Sequence, residues 1–139
     1  MLIKVADPPS NLAVALRAGA VYDWILGLVI LVAHPAMFRL FHVPQPDDLF
    51  HFRMNALALG LLGFFYWGVA VDTVGRQWAA RLAVSIRYLG GLFLLILTLA
   101  HRPAGWSTYA LFGVIDLAWG TLWLVMLRGI KKPAIAGGR

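Results

Sequence analysis

The 139-residue chain contains no cysteine, so it has no disulfide, thiolate nucleophile or cysteine-ligated metal. Charge is scarce too. Asp, Glu, Lys and Arg make up 13% of residues, about half the share of a soluble domain. There is no nucleophile–base pair, no glycine-rich phosphate loop and no strong metal-ligand spacing. The sequence therefore supplies no catalytic residue, and the reading leans away from an enzyme. The apolar runs also lack the alternation of a barrel strand, which leaves helices as the spanning solution.

What the chain does have is apolar length. It is 61% hydrophobic, with a mean hydropathy of +0.79. A bilayer-crossing helix needs about 20 mostly apolar residues, and four stretches qualify: 12–33, 49–71, 79–100 and 106–127. His34-Pro35 closes the first, Pro44 and Pro46 break the chain before the second, and the 72–75 and 102–105 segments carry turn residues. The two short connections predict that the second and third spans, and the third and fourth, are antiparallel neighbours. The expected fold is a single all-α domain, an integral-membrane antiparallel four-helix bundle. The first span is longer than a signal-peptide core and carries Asp23, so it reads as a retained helix.

The net charge of +6 and pI near 10.3 point here to topology, not to nucleic acid. Lys4, Arg17, Arg76, Arg81, Arg87, Arg128, Lys131, Lys132 and Arg139 fall on one side of the four spans, against Arg39, Arg53 and Arg102 on the other. Basic residues collect on the cytoplasmic side, so both termini are expected in the cytoplasm. The basic tail around Lys131 and Lys132 reads as a topology anchor.

Two sets of residues are candidates for a site. The segment FHVPQPDDLFHFRMN, from Phe41 to Asn55, offers His42, Asp47, Asp48 and His51 as metal ligands by residue type. Their spacing matches no strong motif. The same residues make a helix start, with Asp47 or Asp48 accepting free N–H groups and His51 pairing with Asp48 three residues on. The four histidines, His34 and His101 included, suit an interface with the polar edge of the ring outward. Residues 37–43, MFRLFHV, read as a short amphipathic segment along that interface.

The second set lies deeper: Asp23, Arg53, Arg87 and Asp116, one per span, with Asn55 beside Arg53. A charge in hydrocarbon turns inward and finds a partner. Helical spacing puts each on a face with small residues: Gly19, Asp23 and Gly27; Arg53, Ala56, Gly60 and Trp67; Arg87, Gly90, Gly91 and Leu94; Tyr109, Gly113, Asp116, Gly120 and Trp123. Small residues mark close helix contacts in membranes. At about 1.5 Å per residue, Asp23 and Arg87 lie at matching depth and are expected to pair. Asp116 is expected to face Arg53 and Asn55, directly or through water, with Tyr22, Tyr88 and Thr98 satisfying leftover polar atoms.

Phe50–Asn55 (FHFRMN), Ile86–Gly91 (IRYLGG) and Val114–Gly120 (VIDLAWG) give the chain a further likeness. With its four spans it resembles the small DoxX-like or BphX-like membrane proteins of bacteria. The resemblance implies an inner-membrane bundle and transfers no functional residue. Small four-helix multidrug exporters share the length and an acid in the first span, but theirs is usually glutamate and lacks such counter-charges. The function expected is a non-catalytic accessory or binding module that needs no cofactor. Its partners are membrane lipid and another membrane protein or further copies of itself. The competing readings are an oligomeric proton-coupled transporter using Asp23 and Asp116, and a redox accessory holding haem or quinone through His51 and His101.

Overall fold

The computed structural model describes residues 10–130. Lys4, Lys131, Lys132 and Arg139, which enter the topology count, lie outside the described residues. Five helices follow one another: α1 (Asn11–Val32), α2 (His34–Leu40), α3 (Leu49–Val71), α4 (Gln77–His101) and α5 (Trp106–Arg128). No strand occurs among the described residues. Four of the five are long and apolar enough to cross a membrane, and their ends fall within two residues of the ranges read from the sequence.

Such helices form because a chain in hydrocarbon must satisfy its own backbone N–H and C=O groups. Their outward faces carry large apolar side chains, among them Leu28, Leu61, Phe64, Leu89, Phe93 and Val125. A water-soluble protein does not expose so continuous an apolar coat; lipid is the solvent that suits it.

Side-chain and backbone polar groups fix the ends. Ser10 caps α1 by accepting from the Ala13 N–H at 3.2 Å, and its hydroxyl also bonds Thr73 Oγ1 at 2.9 Å. The start of α1 is thereby tied to the turn between α3 and α4. Asp72 Oδ1 accepts from Gly75 N–H in that turn. At the other end of the molecule Val43 packs against Gly105, whose φ of +74° lets the chain enter α5.

Helix α2 begins earlier than the amphipathic segment read at 37–43. Pro35 sits at its start, where a missing N–H costs nothing. The helix ends in a Schellman turn: His42 takes φ 53°, its N–H bonds Arg39 C=O, and Val43 N–H bonds Phe38 C=O.

The long helices pack as two pairs, α1 with α3 and α4 with α5. The second and third spans, α3 and α4, are not the packed neighbours expected from their short connection: the turn joins their ends, while α3 packs its face on α1. Each pair meets where side chains are smallest. Gly27 lies against the Ala56 carbonyl, and Gly63 makes room for Trp24, whose Nε1 donates to Gly60 C=O at 3.2 Å. In the second pair Gly91 and Gly113 face each other so closely that a Cβ on Gly91 would stand 2.8 Å from Gly113 O, and one on Gly113 would stand 3.0 Å from Gly91 O. Tyr88 and Thr121 add a hydroxyl–hydroxyl bond of 2.9 Å across the same seam. On α3 the packed stripe is Ala56, Gly63, Tyr66 and Ala70, not the expected Arg53, Ala56, Gly60 and Trp67. Gly60 has open space where its Cβ would be, and Trp67 is exposed.

A methyl group at Gly91 or Gly113 meets backbone, which cannot swing aside. Gly91→Ala and Gly113→Ala should each destabilise the fold by about 1–3 kcal/mol. Gly60→Ala and Gly68→Ala, with nothing within 4 Å, should not. Thermal unfolding in one detergent, followed by size-exclusion chromatography, separates the two classes; equal losses at all four positions would contradict the packing described.

Candidate functional site

Between the two helix pairs sits one arginine. Arg87 of α4 is 3% exposed and Asp23 of α1 is 0% exposed. Arg87 Nη2 donates to both carboxylate oxygens of Asp23 at 2.8 Å. Its Nη1 donates to Asp116 Oδ1 on α5 at 2.7 Å. One planar guanidinium thus bridges two carboxylates from two other helices, a geometry that the point charge of lysine does not reproduce. The Asp23 contact is the polar link from one helix pair to the other.

Aromatic rings complete the surroundings. The guanidinium carbon lies 4.8 Å from the Tyr66 ring centroid, 5.3 Å from Trp123 and 6.0 Å from Tyr22. Cations are attracted to such ring faces, more so when desolvated. Tyr66 and Trp123 are fully buried and meet edge to face, centroids 4.8 Å apart. Glycines make the space: Gly19 lies under Trp123, and Gly120 lies against the Arg87 and Tyr88 side chains.

Of the five polar residues expected together, the structure unites Asp23, Arg87 and Asp116. Arg53 and Asn55 are exposed; Asp116 pairs with Arg87 instead of Arg53, while Asn55 lines the same cavity as Asp116. The reason is position. Arg53 is the fifth residue of α3, close enough to the helix end for a long side chain to reach water, and it is exposed. Arg87 is also withdrawn from the topology count, being buried between carboxylates; the remaining bias keeps its sign. Tyr22 does lie at the triad, whereas Tyr88 bonds Thr121. Tyr66 was missed. Its signal was the seven-residue spacing of Ala56, Gly63 and Ala70, which marks the face on which Tyr66 lies.

A cavity of about 230 Å³ opens beside the triad, and all five helices contribute to its wall. Arg87, Asp116 and Tyr22 form its polar end. Leu26, Ile30, Leu59 and Leu94 line its apolar flank, while Phe52, Tyr109 and Phe112 bring rings. Asn55 also reaches it, and Met37 of α2 lies over it. The arrangement is the ordinary one for small-molecule sites: apolar walls with a few convergent polar groups.

The histidine-rich segment is arranged differently. Asp48 caps α3, accepting from Phe50 N–H at 2.7 Å, and its other oxygen pairs with His51 Nδ1. The hydrogen bond from His51, and after it that from the Phe50 amide, hold the Asp48 carboxyl below its ordinary pKa. The cap therefore acts in full above the ordinary carboxylate range and is lost as pH falls through the lowered value. His42 terminates α2, and Asp47 is exposed. Among the described residues no three His, Asp or Glu side chains converge as a metal site. His34 does not stand at the interface with its polar edge outward as expected. It is buried against Phe38 and Phe52, its Nδ1 without a partner, because after the bend at Ala33 it opens α2 and these two rings close over it. His51 and His101 are both exposed, and neither lines the cavity.

Removing Arg87 leaves two carboxylates facing each other in an apolar interior. Arg87→Gln should destabilise the protein by about 3–5 kcal/mol, the usual effect of breaking a buried pair. Arg53→Gln should change stability by under about 0.5 kcal/mol, as surface substitutions do. Unfolding measured in the same bicelles for both variants checks the contrast; similar losses would contradict the placement of Arg53. Compared with known proteins, the chain matches no family model, no curated protein and no solved structure.

Proposed function

We propose that this protein is a non-catalytic binding module of the membrane, which holds a small amphipathic molecule in the cavity beside Asp23, Arg87 and Asp116. One observation carries the reading: an apolar-walled cavity, shared by all five helices, ends on a charged cluster. A cluster serving only to set helix register needs no cavity beside it. The polar end supplies orientation and the apolar flank supplies affinity.

The proposal includes an antiparallel bundle with both termini in the cytoplasm of a bacterium. Several contacts support the antiparallel arrangement, and the excess of Lys and Arg on one side of the spans supports the sidedness. Gly27 meets Ala56 while Gly63 meets Ala20 O, and Gly91 meets Gly113 while Gly120 meets Tyr88, so each pair reads in opposite chain directions. Ser10 bonds Thr73, and Val43 packs on Gly105, so alternate connections gather at the same ends. The DoxX-like resemblance accords with this architecture and adds no ligand.

A transporter reading uses the same residues. It is favoured by one feature, the excess of one carboxylate over guanidinium in the triad. A haem reading through His51 and His101 has no comparable support.

Native mass spectrometry of protein extracted with its surrounding lipid tests the binding reading. One retained small molecule per chain is expected above the lipid background. Leu59→Trp, which fills the apolar flank, should lower its occupancy at least tenfold. Bare protein, or equal occupancy in the filled variant, would overturn the proposal.

A further inference from the structure

The triad does not balance. Two carboxylates share one guanidinium, which leaves a formal charge of −1 in an interior where charge is expensive. No other described cation reaches it. Arg17 lies over the Trp67 ring, and Arg53 is exposed.

The excess charge has an address. Both oxygens of Asp23 accept from Arg87, and Asp23 is 0% exposed. Asp116 accepts through Oδ1 alone, keeps 26% of its side chain exposed and lines the cavity. Its Oδ2 accepts no hydrogen bond from the described residues. Gly90 leaves room beside that oxygen, since a Cβ there would lie 3.6 Å away.

An anion in this cavity meets the Asp116 carboxylate, and outside Arg87 the donors on the wall, Tyr22, Asn55 and Tyr109, are neutral. Nη1 and Nη2 of Arg87 are committed to carboxylates, and Nε is buried without a partner. A neutral molecule fits the walls but leaves the charge uncompensated. A cation answers the charge and also meets aromatic side chains, since Tyr22, Phe52, Tyr109 and Phe112 line the same space. Size narrows the class further. At about 230 Å³ the cavity is smaller than the roughly 300–1,000 Å³ of drug-sized sites, so a single ring is the fitting body.

We infer that the cavity selects a small organic monocation, a protonated or quaternary amine on a one-ring apolar body, with its charge at Asp116 Oδ2. This rests on the binding reading above and adds the charge of the ligand to it.

The test uses the full chain in nanodiscs of zwitterionic phosphatidylcholine, with empty nanodiscs subtracted. Equilibrium dialysis compares benzyltrimethylammonium, its neutral carbon isostere neopentylbenzene, and benzylsulfonate. Saturable binding of one benzyltrimethylammonium per chain is expected, at least tenfold tighter than the isostere, with no saturable binding of the sulfonate. Asp116→Asn should bring the cation down to the isostere's affinity and leave the isostere's own affinity in place. The wild-type series decides by itself if Asp116→Asn fails to fold. An isostere that binds as tightly as the cation, or a preferred sulfonate, overturns the charge selectivity and leaves the binding cavity standing. Saturable binding of none of the three overturns both.

Discussion

The structure depends on one guanidinium held between two carboxylates. Each helix pair closes on its own small-residue seam, and α3 and α4 touch little. Two things join the pairs: Arg87 reaching across to Asp23 while Asp116 holds its other nitrogen, and the buried apolar cluster in which Trp123 of α5 meets Tyr66 of α3 and Gly19 of α1. In water such a triad is often no better than a well-packed apolar substitute. Between lipid-facing helices the comparison changes. Apolar side chains pack as well on acyl chains as on one another, so shape and polar contact decide which helices associate. The triad supplies both register and attraction.

Glycine serves the triad more than the helices. A helix interior disfavours glycine, yet Gly19, Gly91, Gly113 and Gly120 lie in packed positions where a methyl group would meet a ring, a backbone oxygen or a side chain. Their absence of side chain lets Trp123 and the Arg87 stem fit beside their neighbours. The aromatic enclosure of Arg87 by Tyr22, Tyr66 and Trp123 follows from that space. The same crowding stops short of Asp116 on one side, and there the cavity begins.

Much of this was legible in the chain. Four apolar runs gave the four long helices to within two residues, because length and hydropathy decide spanning segments almost alone. Counting depth along two helices led to the Asp23–Arg87 pair, which the structure contains. The partner of Asp116 was not legible in the same way. Arg53 satisfied the periodicity, but periodicity does not say whether a long side chain near a helix end turns inward or reaches for water. Tyr66 escaped for a related reason: placing Arg53 inside rotated the reading of α3 toward Gly60 and Trp67 and away from Gly63 and Ala70. The histidines were misleading by chemistry. His42 ends a helix with a left-handed backbone, and His34 is buried by the rings of Phe38 and Phe52, a packing that composition does not reveal.

The account stands on Arg87 contacting both carboxylates at once. Solid-state NMR in bilayers measures this directly, through dipolar coupling between 15N-labelled arginine guanidinium groups and 13C-labelled aspartate carboxyl carbons. Two carboxyl signals, assigned to Asp23 and Asp116 by their Asn variants, should dephase at hydrogen-bonding distance, and both effects should vanish in Arg87→Lys with unlabelled lysine. Dephasing of Asp116 that survives in Arg87→Lys and disappears in Arg53→Lys would contradict the account.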